Sequence, residues 1–149
     1  MVDIQDIEYR PATRADDASI RALLAASGLP ADDVAADRQD YLLAVSSGAL
    51  VGCVGLERCR EAGLLRSLAV APALRNRGLG STLLDRIVAY ATAYHVTTAY
   101  ALTTTAERFC LAHGFEPVDR AEVPPAVAAT AQFRELCPAT ARCFRRRLG

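Results

Sequence analysis

The first part of the chain combines a short strand pattern with helical periodicity. Residues 7–11 predict a strand that Pro11 ends. Thr13 and Asp16 have the spacing of a capping box, and apolar residues three and four apart then predict a helix that ends at Gly28. Residues 31–38 are polar and Ala-rich, and they predict a second short helix.

The middle of the chain predicts antiparallel strands followed by a long helix. Apolar runs at 41–45, 49–56 and 64–70 are separated by short Gly-containing turns, which predict consecutive strands. An amphipathic helix follows, and its apolar face carries Leu79, Leu83, Ile87, Tyr90 and Tyr94.

The last third predicts short elements in alternation, which together indicate a single α/β (α+β) domain over residues 1–149. Its mixed sheet is antiparallel in the first half and gains parallel pairing through helical crossovers. The predicted elements are a strand at 98–102, a helix opened by a Thr104–Glu107 capping box, a strand at 115–118, a helix at 124–136 and a strand at 140–147.

Composition narrows the class of protein. The chain has 149 residues, a hydrophobic fraction of 52% and zero net charge, so it is neither disordered nor a dedicated nucleic-acid binder. All 17 basic residues are Arg, which reflects codon bias for most of them and anion recognition for a few. We expect no membrane segment, no metal site and five reduced cysteines in a cytoplasmic protein.

The segment between the third long strand and the amphipathic helix carries the chemistry. Gly78 and Gly80 allow close approach of the backbone, the helix N-terminus offers unpaired N–H groups, and Arg75 and Arg77 add positive charge. The spacing matches neither a Walker A loop nor a dinucleotide fingerprint, so it predicts a pyrophosphate ligand of another kind. The candidate contacts are Arg75, Asn76, Arg77, Gly78, Leu79, Gly80 and Ser81.

Arg75-x-x-Gly78-x-Gly80 between a strand and a long helix resembles the acetyl-CoA motif of the GNAT N-acetyltransferases, and the segment 109–115 resembles the second motif of that family. The resemblance covers essentially the whole chain. It implies a central sheet of six to seven strands with a splayed strand pair, and acetyl-CoA as co-substrate. It further implies cofactor contacts at Leu68, Ala69, Val70, Thr103, Ala106 and Phe109.

A narrower resemblance connects the segments 64–70, 102–106 and 130–138 to the acetyltransferases of bacterial arsenic-resistance operons. The glutamate N-acetyltransferases are more distant relatives. The narrower resemblance implies a small amine substrate, such as an amino acid or an amino-acid-like compound.

The catalytic groups depart from the family pattern. Leu64 stands where the family often has a Glu base, so Glu57 becomes the candidate base, ranked above Glu61, with a water chain or plain surface charge as alternatives. Cys110 stands at the place of the leaving-group Tyr and is either the acid or a small buried residue of the channel. The backbone N–H of Val70 is the candidate group that polarises the thioester carbonyl.

Two arginines are candidate substrate contacts. Arg66 interrupts an apolar strand, where it either binds a substrate carboxylate or pairs with Glu57 or Glu61. Strict alternation would place it on the face of Leu64, Leu68 and Val70, opposite to Leu65, Ser67 and Ala69. Arg134 is the second, weaker candidate.

The sequence also gives expectations for the two histidines, for the arginine run near the end of the chain and for residues 124–130. His95 and His113 are expected to interact with helix dipoles, and Arg145–Arg147 are expected on a solvated edge strand. Residues 124–130 predict either a lid or a homodimer contact.

The leading hypothesis is an enzyme that transfers the acetyl group of acetyl-CoA to a small amine. The alternative is a GNAT-fold module that binds or senses acyl-CoA and turns over little.

Overall fold

The computed structural model is a seven-stranded mixed sheet with helices on both faces, and it describes residues 3–31, 34, 39–136 and 140–148. The strand order is β1-β2-β3-β4-β5-β7-β6. Only the β4–β5 pair is parallel among the described strands. The strands are β1 (Glu8–Pro11), β2 (Gln39–Ser46), β3 (Ala49–Cys59), β4 (Ala62–Val70), β5 (Thr98–Thr103), β6 (Glu116–Pro117) and β7 (Arg142–Arg147).

The predicted α/β fold with a mixed sheet is confirmed, and local chemistry explains its first half. β2 and β3 are joined by Ser47 and Gly48, both with positive φ (49° and 80°), as a two-residue turn between twisted strands requires. The next turn places Arg60 at φ 63° in the same way.

Within the described ranges, four α-helices flank the sheet: α1 (Asp17–Ala26), α2 (Leu79–Ala93), α3 (Glu107–Ala112) and α4 (Pro125–Ala128). The predicted capping box of Thr13 and Asp16 is present, and it opens a 3₁₀ turn that leads into α1. Helix α2 is the crossover that makes β4 and β5 parallel. None of the described helices combines the length and the apolar character that crossing a membrane requires.

The core lies on both faces of the sheet. On one face, Leu79, Leu83 and Ile87 of α2 form one cluster with β2 and β3, which contribute Leu42, Ala44, Val51, Val54 and Leu56. On the other face, Ile20 and Leu24 of α1 form a second cluster with the same strands, which contribute Tyr41, Leu43, Val45 and Cys53. Val123 and Val127 extend this second layer over β4 and β5. Both faces are therefore buried, which agrees with the largely apolar strand sequences.

Two features open the sheet between β4 and β5. Their parallel pairing covers three residues on each strand, from Ala62 opposite Thr98 to Leu64 opposite Tyr100. The β3–β4 register also shifts, because Cys53 lies opposite Ala69 and Gly55 lies opposite Arg66. The extra residue lies on β4, where Ser67 has φ 58°, and this β-bulge bends the strand away. The splayed strand pair implied by the resemblance is therefore present.

Several local predictions differ from the structure. The 124–136 segment is not one helix, because α4 ends at Ala128 and a π-helical turn follows at Gln132–Leu136. The Thr104–Glu107 capping box is wrong: Thr103 Oγ1 accepts the N–H of Ala106 at 2.8 Å instead, and Glu107 pairs with Arg142.

Three further predictions concern β7, the strand at 115–118 and the helix at 31–38. β7 is not an edge strand, since it lies between β5 and β6, so Arg145–Arg147 do not protect a sheet edge. The strand predicted at 115–118 is reduced to Glu116–Pro117. The helix predicted at 31–38 falls mostly outside the described residues.

Candidate active site

The bulge at Ser67 reverses the facing of the residues that follow it. Before the bulge, Arg66 lies on the α1 side with Gly55 and Tyr41; a Cβ at Gly55 would lie 3.1 Å from Arg66 Cγ and 2.7 Å from Tyr41 Cε1. After the bulge, Leu68 packs with the α2 layer and Ala69 with the α1 layer. Arg66 therefore does not share a face with Leu68 and Val70, because one extra residue shifts the alternation.

The peptide groups of Leu68 and Val70 point into the gap between β4 and β5. The N–H of Ala71 donates to the carbonyl of Val51 at 2.8 Å, and in an antiparallel ladder every second residue bonds to the same partner strand. Ala71 and Ala69 are the residues whose backbone groups face β3. Val70 and Leu68 alternate with them, so their N–H and C=O groups face away from β3. Ala69 differs from the sequence expectation, since its backbone faces β3 opposite Cys53.

A loop at the end of β4 leads into the N-terminus of α2. Gly78 is the N-cap at φ 89°, and no atom lies within 4 Å of where its Cβ would be. The N–H groups of Leu79, Gly80 and Ser81 belong to the first turn, which has no carbonyl partners within the helix. Arg75 is exposed and its Nε donates to the Val70 carbonyl at 3.1 Å, which ties the loop to the strand end. The loop thus presents open N–H groups to an anion.

A cavity of about 190 Å³ lies between the two diverging strands. Walls from β4, β5 and α3 bring together six of the candidate residues, which are Arg66, Leu68, Thr103, Ala106, Phe109 and Cys110. Glu57, Val70 and Arg134 are not among the lining residues, and neither are Ala69 and the loop residues 75–81. Arg134 is exposed on the π-helical turn. The cavity therefore joins the gap to a pocket on the α1 side of β4.

Arg66 is paired inside this site. Its side chain is fully buried, and Nη1 lies 3.3 Å from Oε1 of Glu57, whose side chain is 15% exposed. Gln39 donates to the same carboxylate oxygen at 3.2 Å. Of the two interpretations of Arg66 from sequence, the ion pair with Glu57 is present, while Arg66 also borders the cavity.

Cys110 lies on the buried side of α3 and faces the cavity. Burial, with a smaller contribution from the charge of Glu107, raises the pKa of its thiol. The thiol is therefore protonated at neutral pH, the state that a proton donor needs. Thr103 also lines the cavity, but its hydroxyl oxygen accepts backbone N–H groups from Thr105 and Ala106.

Three residues near the site were not singled out by sequence reasoning in these roles. Ser67 lines the cavity at the bulge, and Gln132 is a buried polar residue on the opposite wall. His113 Nε2 lies 3.1 Å from Ser81 Oγ, and its ring contacts Phe109 with a centroid distance of 4.3 Å. His113 therefore ties the first turn of α2 to α3, a long-range contact that a pattern of spacing cannot indicate.

The cysteines do not form a metal centre among the described residues. Cys53, Cys59, Cys110 and Cys143 are buried and form no disulfide, and no group of three metal-ligating side chains is present in the described ranges. Cys137 lies outside those ranges.

The sequence matches a family model described as an acetyltransferase (GNAT) domain over residues 37–117. It is also similar to amino-acid acetyltransferases. The Pseudomonas fluorescens protein is 31% identical over 98 residues, and the Pseudomonas syringae pv. tomato protein is 35% identical over 89 residues. These alignments cover 64% and 58% of this chain but only 23% and 21% of the relatives, so the chain spans less than a quarter of their length.

Solved structures share the fold. N-acetylglutamate synthase from Neisseria gonorrhoeae, complexed with coenzyme A and N-acetyl-glutamate, has a TM-score of 0.81 at 22% identity and covers 96% of this chain and 35% of its own. A Mycobacterium tuberculosis protein in complex with CoA has a TM-score of 0.78 at 21% identity. The match covers 95% of this chain and 99% of the Mycobacterium tuberculosis chain. With more than half of its residues inside the matched domain, the chain belongs to the GNAT acetyltransferase family.

Proposed function

We propose that the chain is an acetyl-CoA-dependent N-acetyltransferase that acts on a small amine. The observation that carries this proposal is the gap between β4 and β5, into which the peptide groups of Leu68 and Val70 point. The N-terminus of α2, which would hold an anion, lies beside a partly open cavity, because Phe109 borders both. A long ligand with a pyrophosphate at one end and an acyl group at the other fits that layout.

The residues present fit acetyl-CoA. The N–H groups of the first turn of α2 would hold the pyrophosphate, and the open space at Gly78 leaves room for its oxygens. Leu68 and Val70 would bond to the amides of the pantetheine arm, while Phe109, Thr103 and Ala106 would line its path. Acetyl-CoA would supply the acetyl group as a reactive thioester.

The residues of the chain would then orient the acceptor and handle its protons. The amine nitrogen bonds to the acetyl carbon, the C–S bond breaks, the nitrogen loses a proton and the departing thiolate gains one. The Val70 N–H would stabilise the negative charge that develops on the carbonyl oxygen. Cys110 would protonate the thiolate, and a water chain would carry the proton away from the nitrogen. Glu57 is a less direct base, because the carboxylate is paired with Arg66 outside the cavity lining.

For the acceptor we propose an amino acid or an amino-acid-like amine. Support comes from the buried guanidinium of Arg66 at the cavity and from the similarity to amino-acid acetyltransferases. Arg134, exposed on the π-helical turn, would be a second contact to a carboxylate. The resemblance to the acetyltransferases of arsenic-resistance operons extends the proposal to arsenic-containing amino-acid analogues.

Thiol release tests the proposal. The protein is incubated with acetyl-CoA and a panel of amines that contains L-glutamate, L-glutamine, the other protein amino acids and an arsenic-containing analogue. Amine-dependent release of coenzyme A is expected for at least one of them. A Cys110→Ala variant is expected to lower kcat and to leave the Kd of coenzyme A unchanged.

A binding module is the second candidate, because Leu64 and Cys110 replace the Glu and Tyr that the family often uses. Calorimetric titration with acetyl-CoA and desulfo-CoA distinguishes the two. Tight binding of both, with no thiol release from any amine of the panel, would favour the module over the enzyme.

A further inference from the structure

A closed ring of polar side chains surrounds the bulge of β4 on the α1 side. Arg66 Nη1 contacts Glu57 Oε1 at 3.3 Å, Gln39 Nε2 donates to the same oxygen at 3.2 Å, and Tyr41 Oη donates to Gln39 Oε1 at 3.1 Å. Tyr41 Oη lies 3.5 Å from Ser67 Oγ, and Arg66 Nε donates to Ser67 Oγ at 3.1 Å. We call these five residues the bulge ring.

The chemistry of the two charged members fixes the direction of every hydrogen bond in the bulge ring. Arg66 can only donate and the Glu57 carboxylate can only accept, so Gln39 must turn its amino group to Glu57 and its carbonyl to Tyr41. Tyr41 has one hydroxyl proton, and Gln39 receives it. Across the contact between Tyr41 and Ser67, the proton therefore belongs to Ser67.

This arrangement sets what Ser67 offers to the cavity. Its hydroxyl proton points to Tyr41, and one lone pair accepts from Arg66 Nε. The second lone pair remains for the cavity, which Ser67 lines between Arg66 and Leu68. At this wall the site presents a hydrogen-bond acceptor and selects a ligand that donates.

We propose that Ser67 Oγ binds an N–H of the acceptor amine and that the bulge ring keeps the serine from donating its own proton. This inference rests on the proposed function and specifies its acceptor side. A neutral amine attacks through its lone pair, and a hydroxyl that donated to that lone pair would block the attack. An acceptor oxygen instead holds the amine by a hydrogen and leaves the lone pair directed elsewhere.

Two variants of Ser67 separate the hydroxyl from the backbone. Ser67→Ala and Ser67→Gly both remove Oγ, but Gly tolerates φ 58° freely, whereas Ala does not. Loss of one neutral hydrogen bond weakens binding about threefold to tenfold. Both variants are expected to raise KM for the best amine of the panel by that factor and to leave the Kd of coenzyme A unchanged. The matched controls are Ser47→Ala and Ser47→Gly, at φ 49° in the β2–β3 turn, which should leave both constants unchanged.

Tyr41 tests the direction of the hydrogen bonds. In Tyr41→Phe the serine proton loses its acceptor and turns to the amine, so the complex forms without reacting efficiently. We expect kcat to fall while KM does not rise, the opposite of the Ser67 pattern.

The outcomes separate this inference from the proposed function. A wild-type protein that releases no thiol with any amine contradicts the proposed function, and this inference with it. A wild-type protein that turns over an amine, with unchanged kcat/KM in both Ser67 variants, overturns the role of Ser67 alone. Recovery in Ser67→Gly but not in Ser67→Ala would also overturn it, because backbone strain would then explain the loss.

Discussion

Arg66 places a positive charge in a buried strand, and an ion pair with Glu57 stabilises that charge. Removing one partner of a buried ion pair leaves the other charge unpaired, which costs roughly 3–5 kcal/mol, whereas replacing both partners is often nearly neutral. The Arg66–Glu57 pair is such a buried ion pair, because the Arg66 side chain is fully buried and the Glu57 side chain is 15% exposed. Its contribution is therefore measurable as a coupling energy.

We expect Arg66→Gln to lower the free energy of unfolding by about 3 kcal/mol. The double variant Arg66→Gln/Glu57→Gln should recover most of that loss, as urea denaturation would measure. If Arg66 also binds the substrate, its single variant raises the substrate KM without changing coenzyme A affinity. Glu61→Gln, at an exposed turn position, serves as the control and should leave stability unchanged. Additive effects of Arg66→Gln and Glu57→Gln would contradict the coupling.

Single residues also show where sequence reasoning ends. Arg66 could be singled out because a charge inside an apolar strand needs a partner or a ligand. Ser67 could not, since a polar residue in an alternating strand looks ordinary and its left-handed conformation depends on the β3 register. The same bulge made the predicted facing of Arg66 wrong, because alternation assumes an unbroken ladder.

At the scale of elements, the β4–loop–α2 unit depends on Gly78 at φ 89°. Gly48 provides a matched position, because it has φ 80° and likewise no atom within 4 Å of where a Cβ would be. The two glycines differ in their surroundings: one is the N-cap of α2 and the other lies in the β2–β3 turn.

We expect Gly78→Val and Gly48→Val to lose stability by similar amounts, about 1–3 kcal/mol each, from the left-handed backbone. Only Gly78→Val should also weaken coenzyme A binding, by tenfold or more, since its side chain fills the space in front of the helix N–H groups. Thermal denaturation and calorimetry measure the two effects. Equal coenzyme A affinity in both variants would place the anion site elsewhere.

Elements with strong periodicity were predictable, and those set by tertiary contacts were not. Helix α2 follows from its apolar stripe, and the β2–β3 hairpin follows from its turn residues. The start of α3 was assigned to the wrong threonine because β5 continues to Thr103, which then caps the turn itself. The helix predicted at 124–136 is interrupted after Ala128, where α4 ends. The Ala-rich sequence contains no residue that indicates this break.

At the scale of the molecule, titrating groups in the core should make the fold sensitive to alkali. Burial raises the pKa of Cys53 to about 12, of Cys143 to about 11 and of Tyr90 to about 12. A group whose pKa is raised on folding contributes stability that is complete below its unfolded pKa and is lost as the pH rises towards the folded one. The loss begins near pH 9 for the two cysteines and near pH 10 for Tyr90.

We therefore expect Tm to be constant up to about pH 8.5 and to fall steadily by pH 11. Cys53 donates its thiol proton to the Ser67 carbonyl at 3.2 Å, so its ionisation also removes a bond at the bulge. Cys53→Ala should have a lower Tm at neutral pH, because of the space it leaves, but a shallower decline above pH 9. Parallel Tm curves for wild type and Cys53→Ala would contradict the assignment.

The overall topology was predictable in type but not in strand order. A mixed sheet followed from consecutive strands and then helical crossovers, whereas the place of β7 between β5 and β6 rests on long-range pairing. The pattern of polar and apolar residues in β7 is typical of any half-exposed strand, so the sequence predicted an edge strand.

The place of β7 has a consequence during synthesis of the chain. A nascent polypeptide whose last emerged residue precedes Arg142 can pair β1 through β4, but the partner of β5 along its other side is still inside the ribosome. For that interval β5 offers an open row of hydrogen-bonding groups and β6 has no strand to join. The half of the sheet that holds α3 and Cys110 can therefore close only after residues 142–147 have emerged.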